Sequence, residues 1–425
     1  MRPLVLLTIL IAFHCVLRNC FCTSEQDKVL SITAVTQEQV NLLQNISSHN
    51  EACNTVLWQP ASPSHITANT PVHLYVQSSS LARVTEQLQT HGFLFRVLLE
   101  NTQRLIQEQT RNDTTDPKSS GTNERYHSLE DIYHFLNKTN EDYPDMTKLI
   151  LIGSSFEKNP LFVLKLSGRR GPVDKAMWMD CGIHAREWIS PAFCLWFIKF
   201  ALTFYKENPD ITTMLDKLDI YILPIMNPDG YKYTWTTNRM WRKNRASRDD
   251  SLCVGVDLNR NFDANWCTKG ASSNPCSDIY CGQYPESEPE VQAVTKFLRS
   301  HKDVVKLYFS IHSYSQMLLF PYSYTHEQIP NHNELYDLVQ EASSKIRRHY
   351  RNQYRFGSGA KTIYIAPGGS DDWAYDQGIK YSFTFELQDR GQYGFLLPPN
   401  LITSACNEAF AAVKTIVLRV LVKLQ

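Results

Sequence analysis

The chain has 425 residues, of which 43% are apolar, so it is long enough for two folded units with at least one large core. Lys plus Arg and Asp plus Glu both number 43, which gives a formal net charge of zero. Because no long basic run offers a stripe for phosphate groups, we exclude nucleic acid as a partner.

The N-terminus has the pattern of an export signal. Arg2 precedes an apolar run from residue 4 to about residue 17, which is shorter than a membrane-spanning helix of roughly 20 residues. We predict a signal peptide over residues 1–22 and a secreted, extracellular protein with no membrane contact; an N-terminal membrane anchor is the alternative. Three sequons fit the secretory route and predict glycosylation at Asn45, Asn112 and Asn137.

Short strand-like and helix-like segments alternate from about residue 28 to residue 111. Their order, β-α-β-β-α-β, predicts a small α+β unit that a further helix follows. The predicted strands are 29–35, 55–59, 72–77 and 94–99, and the predicted helices are 37–44, 81–89 and 102–111. Residues 112–123 are polar and rich in turn formers, which predicts an exposed linker.

Apolar strands alternate with amphipathic helices in the rest of the chain. Ser128 is placed to cap the first helix, which runs toward Leu136. The predicted strands are 148–152, 161–166, 176–181, 218–224, 305–311 and 381–387. Since several are apolar throughout, we expect an α/β fold with a mixed, largely parallel sheet sandwiched by helices.

Three residues at the ends of predicted strands could bind one metal ion. His184 and Glu187 follow the strand 176–181, and His312 ends the strand 305–311. Two His and one Glu leave a fourth position open, which is the pattern of catalytic zinc. A surface pair would also explain the first two residues, and a satisfied core histidine would explain the third.

Glu386 is an acidic residue inside an otherwise apolar strand. Burying an unpaired carboxylate is costly, so a partner or a catalytic role must explain it. A structural ion pair and a general base are both open at this point.

Four longer strings resemble the pancreatic-type zinc metallocarboxypeptidase A/B family, and the resemblance extends from about residue 126 to the C-terminus. They are DCGIHAREWISP from Asp180, NRMWRK from Asn238, DLNRN from Asp257 and GGSDDW from Gly368. Two other strings, VLWQP from Val56 and GSSFEKNPL from Gly153, resemble the plasma branch of the family more than the pancreatic branch.

The resemblance implies a role for each matching residue. It makes His184, Glu187 and His312 the ligands of one Zn²⁺ ion per chain, and Glu386 the general base. The other implied roles are the orientation of His184 by Asp257, the binding of the substrate's terminal carboxylate by Asn259 and Arg260, the stabilisation of the oxyanion by Arg242, closure over the substrate by Tyr364, and outer subsites at Arg186 and Arg239.

Asp371 decides the expected specificity. It lies in the stretch that forms the floor of the family's specificity pocket, where a carboxylate favours a Lys or Arg side chain. The alternative is that Asp371 faces solvent and Asp372 carries the local structure. The expected partners are therefore peptide and protein C-termini that end in Lys or Arg.

The resemblance also implies disulfides between Cys181 and Cys194, Cys253 and Cys276, and Cys267 and Cys281, which leaves Cys53 and Cys406 free. One string departs from the family pattern, because ELRDTG of the family is here ELQDRG from Glu386. Gln388 removes a positive charge beside the base, and Arg390 adds one nearby.

Three segments follow: the signal peptide 1–22, an activation peptide 23–118 and a catalytic domain 119–425. We expect a trypsin-like protease to cut after Lys118, with Arg125 as the second choice, and to release a monomeric enzyme. The plasma branch implies restraint of fibrinolysis through removal of C-terminal Lys from fibrin. The alternatives are a digestive B-type enzyme, a silent homologue that binds C-terminal tails, an A-type enzyme and a zinc deacylase.

Overall fold

The structure is a computed structural model that describes residues 26–48, 54–111, 125–168, 174–249 and 251–424. The predicted signal peptide, the sequon at Asn112, Cys53 and the predicted cleavage site at Lys118 lie outside the described residues. The described residues form two units.

The first unit is a four-stranded antiparallel sheet with the strand order β2-β3-β1-β4. Its elements are β1 (Lys28–Thr33), α1 (Gln37–Ser47), β2 (Thr55–Gln59), β3 (Pro71–Val76), α2 (Ser78–Thr90), β4 (Leu94–Leu99) and the connecting helix α3 (Thr102–Thr110). The predicted β-α-β-β-α-β order and the further helix are therefore present. Strands β2 and β4 have the bounds that the sequence predicted.

Alternation along the strands of the first unit gives its sheet two buried faces. Leu30 and Ile32 pack with the helices α1 and α2 in one cluster. Val29, one residue away, packs in a second cluster with Tyr314 and Phe395 of the second unit. Because successive side chains of a strand point to opposite faces, one strand can serve both contacts. The first unit is thereby docked by its open sheet face.

The second unit is built on an eight-stranded mixed sheet with the order β11-β10-β12-β9-β7-β8-β6-β5. Its strands are β5 (Thr147–Ser154), β6 (Pro160–Leu166), β7 (Ala176–Cys181), β8 (Asp219–Leu223), β9 (Val305–Ser313), β10 (Met317–Phe320), β11 (Arg355–Ser358) and β12 (Tyr381–Leu387). Its helices are α4 (Leu129–Asp142), α5 (Ile189–Phe204), α6 (Pro209–Lys217), α7 (Pro228–Thr236), α8 (Pro289–Ser300), α9 (His332–Tyr350), α10 (Gly359–Thr362), α11 (Ser370–Asp376) and α12 (Ile402–Lys423).

Helices cover both faces of the large sheet. Phe309 of β9 packs on the face that holds α5, α9 and α12. Tyr308, the preceding residue, packs on the opposite face with Phe297 of α8 and Trp373 of α11. The strands β8, β7, β9 and β12 are parallel neighbours. Strand β6 runs antiparallel to β5 and β8, and β10 runs antiparallel to β12 but parallel to β11. The predicted mixed sheet sandwiched by helices is confirmed.

Local chemistry fixes several element ends. Ser128 caps α4, because its hydroxyl accepts from the Asp131 backbone N–H at 3.1 Å in a capping box.

Strands β10 and β11 were not predicted. Each has only four residues, which is too short for a periodic signal to appear.

Three disulfides are present, and they are the pairs that the resemblance implied: Cys181 with Cys194, Cys253 with Cys276, and Cys267 with Cys281. Cys406 is buried and free. Within the described ranges, no helix is long and apolar enough to cross a membrane.

Candidate active site

The predicted site residues meet where three parallel strands end. His184 and Glu187 lie between β7 and α5, and His312 lies on β9, the neighbour of β7. Glu386 lies on β12 directly opposite His312 in the register. Because the carboxyl ends of parallel strands share one edge of the sheet, residues distant in sequence converge there.

The three predicted metal ligands form one compact buried group. His184 Nδ1 lies 2.8 Å from Glu187 Oε1, and His312 Nδ1 lies 3.1 Å from Glu187 Oε2. The two Nδ1 atoms are 3.1 Å apart. Two imidazole nitrogens and a carboxylate that point at one centre suit a single cation, and this donor set is that of catalytic zinc with an open fourth position. The residues present therefore fit a zinc ion.

Asp257 lies behind His184. Its Oδ1 atom lies 3.1 Å from His184 Nε2, so the other ring nitrogen is left for the metal side. Burial of Asp257 opposes its negative charge, but Arg242, His184 and Arg260 outweigh burial and hold the pKa of Asp257 well below its usual value. Asp257 is thus an anion within hydrogen-bond distance of one of the predicted ligands.

The same aspartate positions a guanidinium group at the cleft. Arg242 Nη2 donates to Asp257 Oδ2 at 2.9 Å, and Arg242 Nη1 lies 3.9 Å from Glu187 Oε1. Asp257 also caps the short helix Leu258–Arg260, which carries Asn259 and Arg260 to the wall of the same cavity. The side chains of Arg242, Asn259 and Arg260 therefore line the cavity that leads to the three predicted metal ligands.

Glu386 and Tyr364 line this cavity too. Burial raises the pKa of Glu386 above its usual value, and Glu187 raises it further, whereas His312 and Arg242 lower it. The Tyr364 ring is stacked on His65 of the first unit, with ring centroids 4.5 Å apart. A carboxylate with a raised pKa and a phenol thus line the same cavity.

Asp371 and Asp372, at the start of α11, have different surroundings. Asp372 is fully buried, and its oxygens accept from the backbone N–H groups of Ser323 and Tyr324. Asp371 is 3% exposed and lines the cavity, and its Oδ2 atom has no hydrogen-bond partner among the described residues. Asp372 is therefore occupied by the fold, and Asp371 keeps a free oxygen.

Arg186 and Arg239 are buried beside the cavity. Arg239 stacks on Trp188, with its guanidinium carbon 3.8 Å from the ring centroid. Arg239 Nε also donates to Gln109 Oε1 of α3 at 3.1 Å, and Gln109 in turn donates to the Leu397 carbonyl at 2.9 Å. The connecting helix of the first unit is thus bonded to a residue predicted to form an outer subsite.

Residues of the first unit that sequence reasoning did not single out also line the cavity. They are Trp58, Gln59, Pro60 and Ala61. The only sequence signal was VLWQP, which was used for resemblance and not for contact. His65 was missed as well, because a lone histidine in a predicted loop gives no sign of the tyrosine 299 residues later on which it stacks.

Two family models match the chain. The model described as Carboxypeptidase activation peptide matches residues 30–109, and the model described as Zinc carboxypeptidase matches residues 132–412. The second match covers more than half of the chain. The chain belongs to the zinc carboxypeptidase family.

Among similar zinc carboxypeptidases, carboxypeptidase B2 of Bos taurus is 50% identical over 395 residues, which are 92% of this chain and 93% of the relative. Carboxypeptidase B2 of Rattus norvegicus is 52% identical over 391 residues, 91% of this chain and 92% of the relative. Carboxypeptidase B of Bos taurus is 44% identical, with 92% of each chain covered. The predicted family is confirmed.

A solved structure of thrombin activatable fibrinolysis inhibitor (TAFI) has a TM-score of 0.90 and 50% identity, and it covers 93% of this chain and 99% of its own. Bovine TAFI in complex with tick carboxypeptidase inhibitor has a TM-score of 0.68 and 53% identity, and covers 72% of this chain and 100% of its own. The chain is a zinc carboxypeptidase zymogen closely related to these proteins, and the expected zinc cofactor is confirmed.

Proposed function

We propose that this chain is a secreted zymogen whose processed form removes Lys or Arg from the C-termini of peptides and proteins, and that fibrin is one of its substrates. The relatives named carboxypeptidase B2 and the structure titled thrombin activatable fibrinolysis inhibitor support this proposal. A role in restraining fibrinolysis would follow from loss of C-terminal Lys from fibrin.

The free oxygen of Asp371 carries the specificity part of the proposal. Burying a carboxylate oxygen that has no partner among the described residues is costly, and a cationic side chain would satisfy it. An apolar side chain would leave the charge unpaired, and the site would reject it. Burial also raises the pKa of Asp371, and an arriving Lys or Arg would reverse this effect.

The remaining residues divide the reaction between them. Arg260, with Asn259, would bind the terminal carboxylate of the substrate, which limits cleavage to the last residue. Bound zinc would supply Lewis-acid activation of the attacking water and the scissile carbonyl. Glu386 would accept a proton from that water and pass it to the leaving amine, while Arg242 donates to the oxygen on which negative charge develops.

Tyr364 would close over the bound residue once the first unit has left. In the intact chain it is held by its stack on His65, and Trp58 to Ala61 line the cleft. Large substrates would therefore be excluded until a trypsin-like protease cuts after Lys118. Arg186 and Arg239 would bind the residues that precede the scissile bond, and in the zymogen Arg239 also donates to the side chain of Gln109.

The experiment that tests this function compares the processed enzyme on paired peptides that end in Arg, Lys, Phe and Leu. We expect kcat/KM for Arg and Lys to exceed that for Phe and Leu by at least about 100-fold, because an unpaired buried charge costs several kcal/mol. Asp371→Ile should reverse the order. The matched control is Asp372→Asn, since Asp372 holds the backbone and should lower stability without reversing the preference. If Asp371→Ile kept the parent ratio, the pocket assignment would be wrong.

A further inference from the structure

A row of buried polar groups lies behind His312, on the side away from the metal site. His312 Nε2 lies 3.1 Å from Ser310 Oγ, and Ser310 Oγ donates to Asp180 Oδ1 at 2.7 Å. Trp178 Nε1 donates to the other oxygen of Asp180 at 2.8 Å. Each of these four side chains is 1% exposed or less. None of the steps proposed above uses Ser310, Asp180 or Trp178.

Strand geometry explains why these residues meet. Trp178 and Asp180 are two residues apart on β7, so they point to the same face, and the same holds for Ser310 and His312 on β9. Asp180 and Ser310 are direct register partners in the parallel β7·β9 pair. The row therefore crosses from one central strand to the next within one layer of side chains.

The direction of the hydrogen bonds follows from the chemistry of the hydroxyl group. A serine hydroxyl has one hydrogen, and Ser310 donates it to Asp180. Its oxygen can then only accept, so the hydrogen between Ser310 and His312 must be on His312 Nε2. In the neutral ring the Nδ1 atom of His312 is therefore left with the lone pair, and it points at Glu187 and at the Nδ1 atom of His184.

We propose that Ser310 and Asp180 are positioning residues that fix the ring orientation and the tautomer of His312 for zinc binding. His184 is oriented by a carboxylate directly, through Asp257, whereas His312 reaches its carboxylate through one hydroxyl group. Trp178 completes the arrangement by holding the second oxygen of Asp180. The proposal rests on His312 being a zinc ligand, which is part of the proposed function.

A purely structural role is the alternative, because these bonds also join two central strands. The two roles differ in what a substitution changes. A structural role would lower the melting temperature of the metal-free and the zinc-bound protein alike and leave zinc affinity unchanged. A positioning role lowers zinc affinity itself, by about 10- to 100-fold for the partner of a metal-bound histidine.

The test is the zinc dissociation constant of the full chain, measured by competition with a chelator at fixed pH, for the parent and for Ser310→Ala. We expect the dissociation constant to rise by about 10- to 100-fold. Ser343→Ala is the matched control, because Ser343 is a buried serine on α9 that donates one hydrogen bond, to the Tyr354 carbonyl at 2.8 Å. That control should bind zinc as the parent does.

Asp180→Asn gives a second arm. An amide has one accepting oxygen, whereas Trp178 and Ser310 both donate to Asp180. Because Trp178 can only donate, the amide oxygen would face Trp178 and the amide NH2 group would donate to Ser310. The Ser310 hydrogen would then turn toward His312 Nε2 and favour the wrong tautomer. Its loss of zinc affinity should equal or exceed that of Ser310→Ala, and the two losses should not add in the double variant. If Asp180→Asn did not fold, Ser310→Ala and Ser343→Ala would still decide the question.

Three results would count against the proposal. A dissociation constant for Ser310→Ala within twofold of the parent's would overturn only the positioning role of Ser310 and Asp180, provided that the parent binds one zinc ion tightly. An equal loss of zinc affinity in Ser343→Ala would mean that the effect is general destabilisation, which would also overturn the positioning role. If the parent bound no zinc, the proposed ligand set would be wrong, and both the positioning role and the proposed function would fall with it.

Discussion

Glu386 is the residue whose chemistry can be separated from metal binding, since the proposed ligands are His184, Glu187 and His312. Glu386→Gln keeps the size of the side chain and removes the proton acceptor. We expect the processed variant to keep one zinc ion per chain and to lose about 10²- to 10⁴-fold in kcat. Metal analysis and turnover on a peptide ending in Arg, measured on the same sample, check this. Near-normal turnover with zinc present would remove Glu386 from the mechanism.

The departure from the family string at Gln388 has a structural consequence on α12. Gln388 is buried and hydrogen-bonds Glu408, which also accepts from Asn352 at 2.6 Å and from Tyr354 at 3.2 Å. Burial raises the pKa of Glu408. The second substituted residue, Arg390, does not compensate, because it is exposed and donates to the Gln353 carbonyl at 2.5 Å.

Gln388→Arg should therefore stabilise the protein, because it supplies the cation that a buried Glu408 lacks. We expect a gain of about 1 kcal/mol, which corresponds to roughly 2 °C in melting temperature. The gain should grow with pH, since the cation lowers the pKa of Glu408 and is useful only when that group is ionised. Gln388→Met is the control, and it should be less stable than the parent because Glu408 loses a donor. A gain that was equal at low and high pH would contradict this explanation.

Two histidines of the first unit lie in the contact between the units. His73 is on strand β3, and His65 ends the short helix Pro63–His65. His73 Nδ1 lies 2.8 Å from Tyr314 Oη, and burial, with Arg96 nearby, lowers the pKa of His73 to about 4. Burial, with Arg260 and Arg242 nearby, lowers the pKa of His65 to about 4 as well. Docking of the first unit therefore depends on two neutral histidines.

The sign of the pH effect follows from these pKa values. Released histidines have the ordinary pKa of about 6.5, so the released state binds protons more readily than the docked state. Docking is therefore strongest above about pH 6.5 and weakens as the pH falls from 6.5 toward 4, by on the order of tenfold at pH 5 for each histidine.

We measure the ratio of the turnover of the uncut chain to that of the cut enzyme on a small peptide. We expect this ratio to rise as the pH falls from 7 to 5. His73→Gln stays neutral and should flatten part of this rise. His134→Gln, on an exposed face of α4, is the control and should behave as the parent does. Dividing by the cut enzyme removes the pH dependence of catalysis itself. A ratio that did not change with pH in the parent would refute the effect.

At the scale of the whole molecule, activation depends on where the chain can be cut. Lys118 lies outside the described residues, whereas Arg125 lies within them. Arg125 is exposed, but the next residue, Tyr126, is 4% exposed and donates to the Leu397 carbonyl at 2.8 Å. Because a protease must bind residues on both sides of the bond, we expect Arg125 to be cut less readily than Lys118, which stays the predicted site.

Limited digestion with trypsin should therefore give a new N-terminus of Ser119 together with a rise in activity. Lys118→Gln should resist activation, whereas Arg125→Gln should be activated at the parent rate. N-terminal sequencing and turnover of the same time points check both variants. A first product that began at Tyr126, or full activity before any cut, would contradict the prediction. Gln109 should delay release of the cut segment, since it is bonded to Arg239 and Leu397.

The sequence by itself determined the two-unit organisation and most strands, and it pointed to most of the residues that the structure brings together in the candidate site. Strands such as β7 and β12 could be read because long apolar runs bury both faces, a constraint that is local in the chain. The short strands β10 and β11 could not be read, because four residues carry too little periodicity.

Only the tertiary structure decided which residues meet. The neighbour relation of β7 and β9 placed Asp180 beside Ser310, 130 residues later, and no local pattern contains that register. The stack of His65 on Tyr364 and the free oxygen of Asp371 likewise depend on the docking of whole elements. Residue types and spacing are set by local chemistry, whereas contacts between distant residues arise only from the packing of strands and helices into one core.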